Sequence, residues 1–355
     1  MFDAGLQQLP LSSSVNEKSL AVFISNWIHR LWTLQEAMFA KKLYFWLKDG
    51  PMYNEDFVRD INKEKESDVQ KGLNGPALSF AYFGALGALS ILRDFVEMKL
   101  DGPGGLFTSL AGSIHQRATT RMSDEAICAA TILDMDTKDI VAVQSKGVPD
   151  EVVAAKRMEF FLKQVGQFTP GIIFHHHKRL RTEGYRWAPK SLMGSEPRYF
   201  NRDSAKNLTP FNGKGLRVRY PGFILEGVPP DSETIIRVTI KHSGHRFSLQ
   251  LFPEDAEGDG AGVSYLWDPN AVYAVVLFRT ASVQSSIGTD AIVGILMDPA
   301  EVHNEQGKRR RKGTLNMTVK LKCECRAWME PVASGLSTDQ SMVELLEEAQ
   351  KWRVY

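Results

Sequence analysis

The stretch "RLWTLQEA", residues 30 to 37, holds the most compact set of side chains able to do chemistry. Trp32 and Glu36 are four residues apart and share one helix face, whereas Arg30 and Glu36 are six apart, too far for a simple helical pair. A glutamate held beside an aromatic ring can have a raised pKa, as a general acid needs. The structural alternative is a buried glutamate that pairs with Arg30 or another cation, and the residue types alone favour it.

Three consecutive histidines, His175 to His177, are the most visible candidate metal ligands. Neighbouring residues on a strand point to opposite faces, so three in a row do not converge on one tetrahedral ion, and no C-x-x-C or H-E-x-x-H motif lies near. We therefore predict structural or loop histidines and no metal site. The alternative is that His175 and His177 share one face and form a pair of metal ligands.

The cysteines and the glycine-rich turns give no catalytic pattern. Cys323 and Cys325 fall on the apolar face of a predicted strand, and Cys128 lies on an apolar helix with no evident basic neighbour to lower its pKa. The sequence contains no P-loop, no G-x-S-x-G and no strand-linked G-x-G-x-x-G motif. We predict no cofactor, and the residues by themselves indicate no enzyme.

The charge balance restricts the class of partner. The chain has 43 basic and 42 acidic residues, so it offers no global field for nucleic acid or an anionic membrane. One dense basic run lies between two predicted strands, at Lys308, Arg309, Arg310, Arg311 and Lys312. A solvated loop is the expected role, and a nuclear-import or phosphate patch is the alternative. Because no aromatic residues are interleaved, we expect no specific nucleic-acid binding.

The cysteine content and the hydrophobic stretches predict the location. Three cysteines are too few for a disulfide framework in 355 residues, so the cytoplasm is expected, with the nucleus as the alternative. The uncharged stretch 72–92 is long enough to span a bilayer, but Asn74, Gly75 and Pro76 interrupt its start. We interpret it as a buried helix and expect no membrane span.

Local patterns predict helices in the first half of the chain. Ser14 and Glu17 have capping-box spacing, so a helix is expected from near Val15. Its predicted apolar stripe consists of Leu20, Phe23, Ile24, Trp27 and Ile28. Alternation in "KLYFWLKDGP" predicts a strand and a turn. Ser123 is the expected N-cap of a second helix, and Pro149 opens a third.

The second half changes to short β-branched and aromatic runs separated by turn residues. The longest, "TLNMTVKLKCECRAWM", alternates in the manner of a half-buried antiparallel strand. The predicted fold class is α+β, with a mainly helical N-terminal region, a largely antiparallel β-rich region and a terminal helix from about Thr338 to Lys351. The predicted division is 1–50, a helical region 51–205, a β-rich region 206–335 and a C-terminal helix 336–355.

Four stretches resemble, in order and spacing, segments of a known family. They are "RLWTLQEAMFAKKLYFW" (30–46), "RATTRMSDEAICAATILDMD" (117–136), "YRWAPKSLMG" (185–194) and "GLRVRYPGF" (215–223). The first resembles the closing motif of the fungal heterokaryon-incompatibility (HET) domain family. Its matching residues are Arg30, Trp32, Thr33, Leu34, Gln35 and Glu36. The other three are similar to the region that follows that domain.

One departure from the family bears on activity. HET domains open with a Ser-Tyr-x-Trp-Gly strand and a Cys-Ile-x-Gln type segment, and neither occurs before Arg30 in this sequence. The resemblance therefore implies the C-terminal remnant of a HET domain at residues 1–50, followed by the region downstream of it. A shortened gene, a mispredicted start site or a domain remnant would each account for this.

The resemblance implies non-self recognition between fungal cells and programmed cell death. We expect action through unknown protein partners, without catalysis in this shortened form. The family fold has been likened to the TIR type, so a TIR-like NAD hydrolase with Glu36 as the catalytic acid is the alternative. A plain intracellular scaffold is the third possibility.

Overall fold

The computed structural model describes the chain in ten stretches. These are residues 3–70, 102–194, 207–225, 235–240, 246–252, 270–278, 289–297, 316–330, 341–345 and 350–355. The chain divides into two compact units, Met1–Val165 with Ser191–Ala205, and Gly166–Lys190 with Lys206–Tyr355. The fold class is α+β, as predicted, because helices dominate the first unit and strands the second.

The first unit combines helices with one small hairpin. Its elements are α1 (Val15–Ile24), α2 (Asn26–His29), α3 (Leu31–Phe39), β1 (Tyr44–Leu47), β2 (Gly50–Tyr53), α4 (Asn54–Gln70), α5 (Gly102–Ile114), α6 (Glu125–Ile132), α7 (Lys138–Val141) and α8 (Asp150–Val165). Short 3-10 turns lie at Leu6–Gln8 and Met122–Asp124. The predicted strand and turn are confirmed as β1 and β2, which pair antiparallel.

The predicted capping box at the start of α1 is confirmed. Ser14 Oγ accepts a hydrogen bond of 3.2 Å from the Glu17 backbone N–H, and the Glu17 carboxylate accepts one of 2.9 Å from the Ser14 N–H. The predicted apolar stripe is wrong in part, because Leu20 and Ile24 are 49% and 63% exposed. Val22 is fully buried in their place. The helix is therefore rotated relative to the prediction.

The helices around residues 123 to 165 are also as predicted, with one correction. Helix α8 begins directly after Pro149 and has Asp150 in its first turn, where an acid favours the helix dipole. Ser123 is not the N-cap of α6, because residues 122–124 form a 3-10 turn and α6 begins at Glu125. The Ser123 hydroxyl instead donates to the Asp150 carboxylate.

The second unit is built on strands. Its described elements are β3 (Gln167–Phe168), a 3-10 turn (Pro170–Phe174), β4 (Thr209–Pro210), β5 (Leu216–Tyr220), β6 (Gly222–Leu225), β7 (Ile235–Ile240), β8 (Arg246–Phe252), β9 (Tyr273–Leu277), β10 (Thr289–Leu296), β11 (Asn316–Glu330), β12 (Ser341–Leu345) and β13 (Gln350–Val354). Nine of these strands form a sheet in the order β10-β9-β6-β12-β7-β8-β11-β13-β5, and β10 also pairs with β11. Most pairs are antiparallel, and β7–β12 and β11–β13 are parallel.

The predicted terminal helix is wrong. Residues 341–345 and 350–354 are strands, and the last one inserts between β11 and β5. Trp352 and Val354 are buried there, whereas Lys351 is exposed, so the segment has the two-residue period of a strand. Pairing with distant strands has overridden the helical propensity of this glutamate- and leucine-rich segment.

Two predicted segments lie outside the described residues. These are the apolar stretch 72–92 and the basic run 308–312. In the part of the chain that the structure describes, no helix combines the length and apolar composition needed to cross a membrane.

Candidate functional site

Helix α3 carries the Trp32–Glu36 motif, which includes the candidate catalytic acid Glu36. Its inward face carries Leu31, Thr33, Leu34 and Ala37, all of them buried. Trp32 and Gln35 are partly buried. The two charged residues, Arg30 and Glu36, are exposed. The prediction that Glu36 is a buried acid paired with Arg30 is therefore wrong. Among the described residues, neither side chain forms an ion pair.

The buried cation beside this helix is Arg117, which the sequence analysis did not single out. Its Nη1 donates to the Arg30 carbonyl oxygen over 3.0 Å and to Thr33 Oγ1 over 3.3 Å. Its Nε donates to the Ser113 carbonyl oxygen over 3.2 Å, at the end of α5. Arg117 is 6% exposed, and burial lowers its pKa to about 10. The guanidinium thus joins α5 to the start of α3.

Backbone hydrogen bonds reinforce the same junction. The Leu31 N–H donates to the Ala118 carbonyl over 2.9 Å, and the Ala118 N–H donates to the His29 carbonyl over 2.6 Å. These bonds form a short parallel bridge between residues 30 and 118. The first and second stretches of the HET resemblance are therefore in direct contact, although more than 80 residues separate them.

Cys128 lies in the same buried region, on α6. Its thiol contacts the Leu31 carbonyl oxygen over 3.7 Å. Burial raises its pKa to about 12, although the charge of nearby Arg117 acts in the opposite direction. This basic neighbour is not evident from the sequence, but the thiol stays protonated at neutral pH and is not activated as a nucleophile.

The most deeply buried acid among the described residues of the first unit is Glu125, not Glu36. Its carboxylate accepts hydrogen bonds from the Ser191 hydroxyl over 2.7 Å and from the Leu192 N–H over 2.5 Å. It is 2% exposed, and burial raises its pKa to about 7 despite these donors. Glu125 thereby binds residues 191–194, the end of the third stretch, to α6. Its place in the "SDEA" helix start was the only sequence signal.

The histidine triplet is divided between the interior and the surface. His175 is buried, its Nδ1 accepts from the His177 N–H over 3.1 Å, and its Nε2 lies 3.2 Å from the Trp187 carbonyl oxygen. Burial and the charge of Arg179 lower its pKa well below the ordinary value, so the ring is neutral. His176 lies 3.7 Å from Asp290. Within the described residues, no three ligand-type side chains are grouped to hold a metal ion.

A basic cavity in the second unit was not predicted. It has a volume of about 830 Å³ and is open to solvent, and its lining includes Arg217, Arg219, Lys351 and Arg353. Arg217 lies opposite Arg353 and Arg219 opposite Lys351 in the antiparallel pair β5–β13. The residues between them, Val218 and Trp352, are buried, so the four cations share the outward face.

The sequence does not predict this cavity, because its local patterns indicate a strand for residues 217–219 and a helix that ends at Lys351. Arg217 and Arg219 alternate with apolar residues in a predicted strand, and this spacing was a usable signal. Lys351 and Arg353 have the same spacing, but Lys351 was placed at the end of a predicted helix. The register that joins the pairs connects residues more than 130 positions apart, and local patterns contain no information on it.

Comparison with protein-family models, with curated proteins and with solved structures found no match to this chain.

Proposed function

We propose that this protein is of the HET type and acts in non-self recognition and programmed cell death through protein interaction, without catalysis. The supporting observation is the face of α1 that carries Leu20 and Ile24. These residues lie one helical turn apart and are 49% and 63% exposed, and the exposed Arg30 and Glu36 belong to the same unit. Adjacent exposed apolar side chains are typical of interaction surfaces.

The stretches that carry the resemblance also contact one another in the first unit. Arg117 joins the second stretch to the first, and Glu125 joins it to the end of the third. The buried polar groups there are engaged with backbone atoms of the protein itself. These bonds stabilise the unit. In the described part of this region, they leave no buried acid or thiol available to react with a substrate.

The NAD-hydrolase alternative places the chemistry on Glu36. A general acid works in an enclosed, water-poor site, whereas Glu36 is exposed on α3. The described geometry therefore favours interaction over catalysis. Purified protein incubated with NAD tests this choice, because turnover that Glu36→Gln abolishes would overturn the non-catalytic proposal.

Expression of the chain in a filamentous fungus tests the interaction. We expect the wild-type chain to arrest growth in an incompatible strain and the double variant Leu20→Lys/Ile24→Lys to lose this effect. The matched control is Val141→Lys/Val152→Lys, since these valines are 53% and 56% exposed in the same unit. Equal growth of cells expressing the wild type and both variants would refute the proposal.

A further inference from the structure

The cations of β5 and β13 are arranged at an energetic cost. Arg217 faces Arg353 and Arg219 faces Lys351 directly across the strand pair. Opposed side chains in such a pair have Cβ atoms about 4.5 to 5.5 Å apart, and like charges in these positions repel. Neighbours two residues apart on one strand are about 7 Å apart. Four positive charges are therefore concentrated on one small square of the sheet.

Nothing described around these charges neutralises them. The other described residues lining the cavity are uncharged, and among the described residues no carboxylate forms an ion pair with the four cations. From this geometry we infer that the cavity binds a small polyanion through a chain of two or more phosphate groups. Guanidinium groups bind phosphate oxygens in bidentate fashion, and a polyphosphate presents several such groups at short spacing.

The dimensions favour a small ligand over a macromolecule. A volume of about 830 Å³ lies within the range of about 300 to 1,000 Å³ of small-molecule sites. Thr209 and Asn207 add a hydroxyl and an amide to the lining, both suited to phosphate oxygens.

The two described aromatic residues of the lining, Tyr220 and Trp352, are both engaged within the protein. The Tyr220 ring packs against Phe174 and Phe278 at centroid distances of 4.9 and 6.1 Å. Trp352 is 1% exposed, and its Nε1 donates to the Tyr220 carbonyl oxygen over 2.9 Å. The indole is thus part of the core and offers no free face on which a base could stack. The ligand class is accordingly the phosphate chain, whether free or attached to a nucleoside.

Isothermal titration of the full chain tests the inference with inorganic tripolyphosphate, ATP and AMP as probes. We expect one site per chain, similar affinities for tripolyphosphate and ATP, and binding of AMP weaker by about tenfold or more because it carries a single phosphate. Raising NaCl to about 1 M should weaken binding strongly, since the charges are exposed to solvent.

Two double variants separate the cavity from general electrostatics. Arg217→Gln/Arg353→Gln should lower the affinity for tripolyphosphate by about tenfold or more. Lys41→Gln/Lys42→Gln removes the same charge from exposed positions in the first unit and should change it by less than about twofold. Circular dichroism and thermal unfolding verify that both variants are folded.

Several results would overturn the inference. These are no binding of tripolyphosphate at low salt, binding of ATP without tripolyphosphate, or equal losses in the two double variants. Binding of a single-stranded RNA oligonucleotide more than about tenfold tighter than tripolyphosphate would assign the surface to a macromolecule instead.

Discussion

Arg117 in the first unit and Arg217 in the second are the same residue type in opposite settings. Arg117 is buried, and its donors are bound to the Arg30 and Ser113 carbonyl oxygens and to Thr33. Arg217 is exposed and lies opposite another arginine. The buried guanidinium donates to atoms of the protein itself, whereas among the described residues no carboxylate pairs with the exposed one.

The difference shows what to expect when each charge is removed. A buried charge with satisfied hydrogen bonds leaves unpaired acceptors behind when it is deleted, so its loss should destabilise the fold. An exposed charge among like charges repels its neighbours, so its loss should leave the fold intact or stabilise it. The same substitution should therefore have opposite signs in the two units.

The largest effect is expected for Arg117→Ala. The substitution removes the guanidinium donor from the Ser113 and Arg30 carbonyl oxygens and from Thr33, and it opens a cavity between α5 and α3. The free energy of unfolding should therefore fall by about 4 kcal/mol. Urea unfolding followed by fluorescence measures this change. Arg353→Ala is the comparison, and a similar loss there would remove the distinction between the two settings.

The next effect is a pH dependence at Glu125. Its pKa is about 7 in the folded chain against an ordinary value of 4.5, so the folded state binds the proton more tightly than the unfolded state. The free energy of unfolding should consequently fall as the pH rises from 4.5 through 7, by up to about 3 kcal/mol.

The variant Glu125→Gln isolates this contribution. It keeps an acceptor for the Leu192 N–H but cannot ionise, so it should lack the slope and be more stable than the wild type at pH 8. Urea unfolding of both proteins from pH 4 to 8 provides the measurement. Parallel curves across that range would show that the proton on Glu125 is not linked to folding.

Ser123 and Asp150 are an intermediate case, with a buried donor and an exposed acceptor. Ser123→Ala removes the bond that holds the start of α8, and we expect a loss of about 1 kcal/mol. The Ser123 hydrogen bond is the main cause that lowers the pKa of Asp150, so that pKa should rise towards its ordinary value of 3.8. NMR titration of the Asp150 carboxyl carbon would detect the change, and an unaltered titration curve would contradict it.

The smallest effect, of opposite sign, is expected for Arg217→Gln. Relief of the repulsion with Arg353 should raise the free energy of unfolding by about 0.5 kcal/mol at low salt. The gain should disappear at about 1 M NaCl, where the repulsion is screened. Thermal unfolding at both salt concentrations tests this, and a destabilised variant would show that Arg217 has a structural partner.

The sequence predicted those features that depend on neighbours along the chain. The capping box of Ser14 and Glu17 spans three residues, and the alternation of Phe45 and Leu47 with exposed residues is visible within one strand. The sequence did not predict which distant strands pair. The terminal segment was assigned by helix propensity, but β13 is fixed by β5 and β11, which local patterns do not identify.

The site residues show the same limit. Glu36 stands out in sequence because it lies near Trp32, yet it is exposed, whereas Glu125 is buried. Burial of Glu125 depends on residues 191 and 192, more than 60 positions away. The pairing of Arg217 with Arg353 has the same origin in tertiary structure.

The position of β5 at the end of the described sheet has a consequence for solubility. A strand in that position presents backbone N–H and C=O groups to which a strand of another molecule can add. Arg217 and Arg219 place positive charge along it, and a second copy would bring the same charge, so the two edges repel. A polyanion that neutralises these arginines would also remove the barrier to self-association.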